Sequence, residues 1–146
     1  MPERFDLSFV NEQGEKERPV VIHRAISGSL ERFMGVMIEH FGGAFPLWLA
    51  PIQIQIVPVA EKFNDYAFQL KSQLNQLDIR AKVDDGSDSF SKKIRNAELM
   101  KIPYTIIVGE KEQNSDSVSV REFRSKAQYE KSVVDFIAQV TTERDQ

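Results

Sequence analysis

Three groups of side chains in this chain have the types and spacing to do chemistry. The first is Glu110-Lys111-Glu112, which follows Gly109 directly after the apolar run Tyr104–Val108. Open α/β sheets place their binding sites at the C-terminal ends of central strands, so two carboxylates and an ammonium delivered there are candidates for contacting a polar ligand. The same pattern also fits a core strand followed by a solvated turn. The second group is Asp84-Asp85, at the end of another strand-like run. An acidic pair there can hold magnesium in a phosphotransfer receiver, but such a site also needs acids after the first strand, and Pro58-Val59-Ala60-Glu61 offers one. The third is the pair His23 and His40 in a chain without cysteine. Zinc takes three or four protein ligands in a tetrahedral arrangement, so these two histidines do not make a zinc site by themselves.

The elements that must position these groups are legible from periodicity. Tyr104–Val108, opened by Pro103 and closed by Gly109, predicts a short strand buried on both faces at the centre of a sheet. Before it, Gln53–Val59 reads as a strand, and Lys62–Leu77 as a helix with Phe63, Ala67, Leu70, Leu74 and Leu77 on one face. Arg80–Val83 reads as a second strand, and a helix beginning near Ser89 carries Phe90, Ile94, Ala97 and Met100. After the central strand, Asn114-Ser115-Asp116 turns the chain into a strand at Val118–Arg121, and Tyr129, Val133, Phe136, Ile137 and Val140 mark a closing helix. This alternation predicts a three-layer α/β/α domain over residues 52–146. Its sheet is mixed and mostly parallel, of about five strands, with the last antiparallel because its turn is too short for a crossover.

Residues 1–43 read differently. Phe5–Val10 and Arg18–His23 predict a β-hairpin around the polar loop 11–17. Ser27-Gly28-Ser29 then punctuates the chain before a helix carrying Leu30, Phe33, Met34, Met37, Ile38 and Phe41, with Glu31 three residues after Gly28 as in a capping box and Gly42-Gly43 as its stop. A hairpin and one helix leave a wide apolar stripe uncovered, so this piece is expected to belong to a larger domain. The proline-bounded segment at residues 44–51, containing Phe45–Pro51, reads as a linker.

Length and composition bound the function. At 146 residues the chain suffices for one core of about 100–150 residues. No apolar run approaches the roughly 20 residues that cross a membrane, no secretory signal is visible, and the absence of cysteine fits a cytoplasmic protein. A net charge of −3 argues against holding nucleic acid, DNA included, by bulk electrostatics. Residues 79–126, however, carry ten Lys/Arg against eight Asp/Glu, leaving nine against fourteen elsewhere. A nucleic-acid surface there is local and reads bases more than it grips phosphates.

Taken in order, the series Arg18-Pro19-Val20-Val21-Ile22-His23-Arg24-Ala25, Gly28-Ser29-Leu30-Glu31-Arg32-Phe33 and Phe45-Pro46-Leu47-Trp48-Leu49-Ala50-Pro51 resembles the C-terminal part of a bacterial threonyl-tRNA synthetase. Lys93-Ile94-Arg95, Ile102-Pro103-Tyr104, Val108-Gly109-Glu110-Lys111-Glu112 and Val118-Ser119-Val120-Arg121 continue it in the order and spacing of that family's anticodon-binding domain. The resemblance implies that residues 1–43 are the end of a class II catalytic domain with its third signature motif, and that 52–146 bind the anticodon loop of threonine tRNA. It implies that Arg32 clamps ATP and that His23 is a zinc ligand, each only in the full-length enzyme. Glu112 is implied to read the guanine at the second anticodon position, where a carboxylate accepts two N–H donors. Arg121 is implied to hold a base edge or phosphate, and Arg95 to position the loop. Lys101 reads as a bulk phosphate contact. Asp85–Ser91 departs from the more basic stretch common in the family, which leaves no contact assigned to Ser87.

As a fragment, the chain is expected to have no cofactor, no aminoacylation activity and a monomeric state, whereas the full-length enzyme uses zinc, ATP and magnesium and forms a homodimer. A stand-alone regulatory or protein-interaction module derived from such a domain is the rival reading. Residues 1–43 weigh against it, since His23 and Arg32 have no use without their partners.

Overall fold

From Ile54 onward, strand-forming and helix-forming runs alternate, and the computed structural model, which describes residues 1–25 and 28–145, folds them into one layered unit. The chain divides into two compact units, Met1–Met37 and Ile38–Gln146. In the second, β3 (Ile54–Pro58), β4 (Ala81–Val83), β5 (Tyr104–Val108), β6 (Ser117–Glu122) and β7 (Gln128–Ser132) form a sheet of order β4-β3-β5-β6-β7. β3 pairs in parallel with both β4 and β5, while β6 is antiparallel to β5 and to β7. Four of the five strands therefore point the same way.

Right-handed crossovers fix where the helices go. The chain leaves β3 sideways to β4 through α2 (Asn64–Gln76), then returns past β3 to β5 through α3 (Phe90–Leu99), so the two helices cover opposite faces. Ala67, Leu70 and Leu74 of α2 join Phe136 and Val140 of α5 (Val133–Arg144) in one core with Ile54, Ile56, Ile106, Val118 and Val120. Ile94 of α3 instead shares the other face with Thr105 and Arg121. Each of these aliphatic or aromatic side chains contributes about 1.5–3 kcal/mol by leaving water. Leu77 and Met100, expected in the core, are largely exposed, because each is the C-cap of its helix, where the stripe has run out.

Two elements were not anticipated. Glu110–Ser115 is a short helix, α4, too polar to show apolar periodicity. Gln128–Ser132 is β7, so Tyr129 belongs to a strand and the closing helix starts at Val133, capped by Ser132, whose hydroxyl accepts from the Asp135 amide at 3.1 Å. The segment 44–51 is folded onto the sheet domain rather than standing apart from it. Leu47 and Ala50 are buried, Arg80 donates to the carbonyls of Trp48 and Ala50 at 2.7 and 2.9 Å, and Arg124 donates to that of Ala44 at 3.0 Å.

In the first unit the expected hairpin is present but much shorter, with β1 (Phe9–Val10) pairing β2 (Lys16–Glu17). Asn11 Oδ1 accepts from the amides of Gln13 and Glu15, and Gly14 takes φ +81°, so a tight turn sets a register that brings in Lys16 instead of Arg18. Arg18–His23 has no strand pairing among the described residues; Pro19 lacks an amide proton, and Val20 and Ile22 are almost fully exposed. Helix α1 (Leu30–Phe41) forms as expected, but no residue of it is buried. Ser29, not Gly28, caps it, its hydroxyl donating to Glu31 at 2.6 Å, a bond that holds the Glu31 carboxyl below its ordinary pKa. Ser27 lies outside the described residues.

Candidate nucleic-acid interface

The parallel strands β3, β4 and β5 end at one rim, which collects Val59–Glu61, Asp84–Ser89 and Gly109–Glu112. The Val59 amide donates to the Val108 carbonyl at 2.9 Å and draws the chain after β3 against Gly109. A Cβ on Gly109 would lie 3.3 Å from Val59 Cγ2 and 3.1 Å from Glu112 Oε2, so the close approach requires glycine. Glu112 is half-buried in the first turn of α4, and its Oε2 accepts from the Gly109 amide at 3.0 Å. Its other oxygen has no partner among the described residues. Both flanking lysines are engaged: Lys111 donates to Glu130 at 2.5 Å and Lys62 lies 3.8 Å from Glu110. The Lys111–Glu130 bond raises the lysine pKa and lowers that of the glutamate. The carboxylate of Glu112 is thus left as the open acceptor at the tip of the central strand.

Arg121 lies toward the other end of β5. It pairs with Thr105, three residues or about 10 Å of strand before Val108, and its guanidinium is held by Glu98 of α3 at 3.1 Å. Beside it Lys126 stacks on the Phe123 ring at 4.0 Å. Arg95, exposed on α3 one turn before Glu98, has no side-chain hydrogen bond or ion pair among the described residues. Because α3 runs back from the rim, Arg95 lies between Glu112 and Arg121 along the strand direction. The three anticodon candidates therefore form a spread series, not a cluster. Lys101, read as a phosphate contact, instead donates to the Gly42 carbonyl at the end of α1.

A family model described as "Anticodon binding domain" matches residues 53–143. The chain belongs to that family. Its relatives include the threonine–tRNA ligases of Deinococcus deserti, 52% identical over 93% of this chain and 21% of that protein, and of Chlorobaculum tepidum, 49% identical over 99% of this chain and 22% of that protein. A solved structure, the RNA binding domain of threonyl-tRNA synthetase from Cryptosporidium parvum Iowa II, superposes with a TM-score of 0.75 at 32% identity, covering 97% of this chain and 36% of that one. The chain spans about a fifth of the length of the ligases it matches.

In this anticodon-binding chain, His23 and Arg32 lie in the first unit, both exposed. Among the described residues no three His, Cys, Asp or Glu side chains group to hold a metal, so the residues present do not fit zinc. Arg32 offers its fork to solvent. Sequence reasoning passed over Lys93, which is 7% exposed in α3. The signal was available: Lys93 stands with Phe90, Ile94 and Ala97 at the helical spacing of the covered face, where an unpaired lysine is out of place.

Proposed function

We propose that this chain is the anticodon-reading portion of a threonine–tRNA ligase, acting in the cytoplasm on the anticodon loop of threonine tRNA. What carries the reading is identity of 52% to a threonine–tRNA ligase over 136 residues, too long a stretch to fall within either compact unit alone. Unpaired loop bases can be splayed out and read on their Watson–Crick edges. The guanine edge offers adjacent N–H donors, and Glu112, with one oxygen unpartnered and the other accepting a single bond, has lone pairs for both. Arg121 meets a base or phosphate by exchanging its bond to Glu98, and Arg95 takes a backbone phosphate. In the same reading residues 1–43 close a class II catalytic domain, where Arg32 faces the ATP triphosphate and His23 joins ligands from elsewhere in the ligase. ATP, magnesium and zinc then serve the full-length homodimer. By itself the chain is a monomer without aminoacylation activity.

The test is footprinting on intact threonine tRNA. Adding the chain should protect the second and third anticodon nucleotides from chemical modification and leave the acceptor stem reactive. Protection of the acceptor stem, or of no nucleotide, would refute the proposal.

A further inference from the structure

The same rim holds a cavity of about 240 Å³ behind the ends of β3 and β4, lined by Glu61, Asn64, the loop Asp85–Ser89, Phe90 and Lys93. Lys93 is nine-tenths buried, yet its ammonium, with three donors to satisfy, has one partner among the described residues, the Asp84 carbonyl at 2.9 Å. A buried charge so thinly solvated is expensive unless further acceptors reach it. The first turn of α3 opens onto the same space, and its N-cap, Ser89, makes no side-chain capping bond, so amide donors there are also free. The cavity therefore wants an acceptor oxygen.

A phosphate and a base carbonyl both supply one, and the walls choose between them. Glu61, Asp85 and Asp88 line the cavity, with only Asp88 engaged, by Lys92 at 2.8 Å. Their carboxylates repel a phosphate but accept the N–H of a neutral base, and the partly exposed Phe90 ring offers a face for it to lie against. Uracil presents carbonyls on either side of one N–H, which matches an ammonium set among acceptors. We infer that this cavity receives the uracil at the third anticodon position, with Lys93 donating to a uracil carbonyl. The inference rests on the anticodon reading above. It assigns a residue and a pocket outside the Glu112–Arg121 series.

The test uses the 146-residue chain and two threonine anticodon stem-loops, one with uracil and one with cytosine at the third position. Cytosine replaces the carbonyl at C4 by an amino donor, which would face the ammonium. Wild type should prefer uracil by about tenfold or more, the scale of a hydrogen bond to a charged group. Lys93→Met, which keeps the buried stem, should bring the preference below about twofold while keeping the preference for guanine at the second position and the melting temperature. Lys93→Gln takes its place if the methionine variant does not melt cooperatively. An undiminished uracil preference in the variant overturns the assignment of Lys93, and indifference of wild type to the exchange overturns the pocket. Uniform weakening toward both RNAs with a flatter salt dependence would identify a phosphate contact instead, and overturn it as well. These results leave the anticodon reading standing if guanine is still preferred at the second position, whereas failure to bind either stem-loop removes both.

Discussion

Glu112 has two tasks that substitution can separate. Its Oε2 caps the amide of Gly109, and its remaining lone pairs are the proposed guanine acceptors. Glu112→Ala removes both functions. Loss of a capping acceptor costs about 0.5–2 kcal/mol, which lowers the melting temperature by about 2–4 °C per kcal/mol in a protein of this size class. Glu112→Gln keeps an amide oxygen that can still accept from Gly109, so it should melt within about 2 °C of wild type. Its NH₂ then turns toward the guanine N–H groups, donor against donor. Losing a bidentate contact to a base costs about 1–3 kcal/mol, or roughly 5- to 150-fold in discrimination. Binding of both variants is measured by anisotropy on stem-loops carrying guanine or adenine at the second anticodon position. Both should lose most of the guanine preference, and only the alanine variant should lose stability. A glutamine variant that discriminates as well as wild type would show that the carboxylate is a cap and nothing more.

Further outcomes follow from other residues. Arg95→Ala should weaken binding to all stem-loops about equally and reduce the slope of log affinity against log salt by about one, since a phosphate contact carries no base information; a base-dependent loss would reassign it. Lys101→Ala should lower unfolding free energy by about 0.5–1.5 kcal/mol through the lost bond to the Gly42 carbonyl, with RNA affinity unchanged within about twofold, contrary to a phosphate role. Burial, with the bond donated to Glu143 at 2.6 Å, pushes the Tyr104 hydroxyl pKa well up. A raised pKa means the neutral phenol stabilises the fold below the unfolded value of about 10, and that this contribution is lost as pH rises beyond it. Urea midpoints should therefore fall between pH 9 and about 11 more steeply for wild type than for Tyr104→Phe.

Where one face of an element is covered by the core, the sequence spelled the element out. Ala67, Leu70 and Leu74, like Ile94 and Ala97, repeat at helical spacing because each helix has one buried side, and Tyr104–Val108 is a continuous apolar run because the strand is covered on both faces. β7 escaped because Gln128-Tyr129-Glu130-Lys131-Ser132 borders solvent, and the four-residue step from Tyr129 to Val133 imitates a helix that in fact begins only at Val133. The strand expected at Arg18–His23 failed for the opposite reason: its alternation is real, but a strand needs a pairing edge, and the turn built on Asn11 gives that edge to Lys16–Glu17. At the site, the position of Glu112 after the central strand was legible from local order. The Gly109 cap, the Glu98–Arg121 pair and the Lys101–Gly42 bond are contacts that no spacing encodes.

The most direct test of the central claim is the equilibrium affinity of the wild-type chain, at fixed physiological salt, for the threonine tRNA anticodon stem-loop and for one of identical stem with the guanine and uracil exchanged for adenine and cytosine. Tighter binding to the first by at least about tenfold is expected from the loss of base contacts at two positions. Equal affinity for the two would contradict the claim that this chain reads the threonine anticodon.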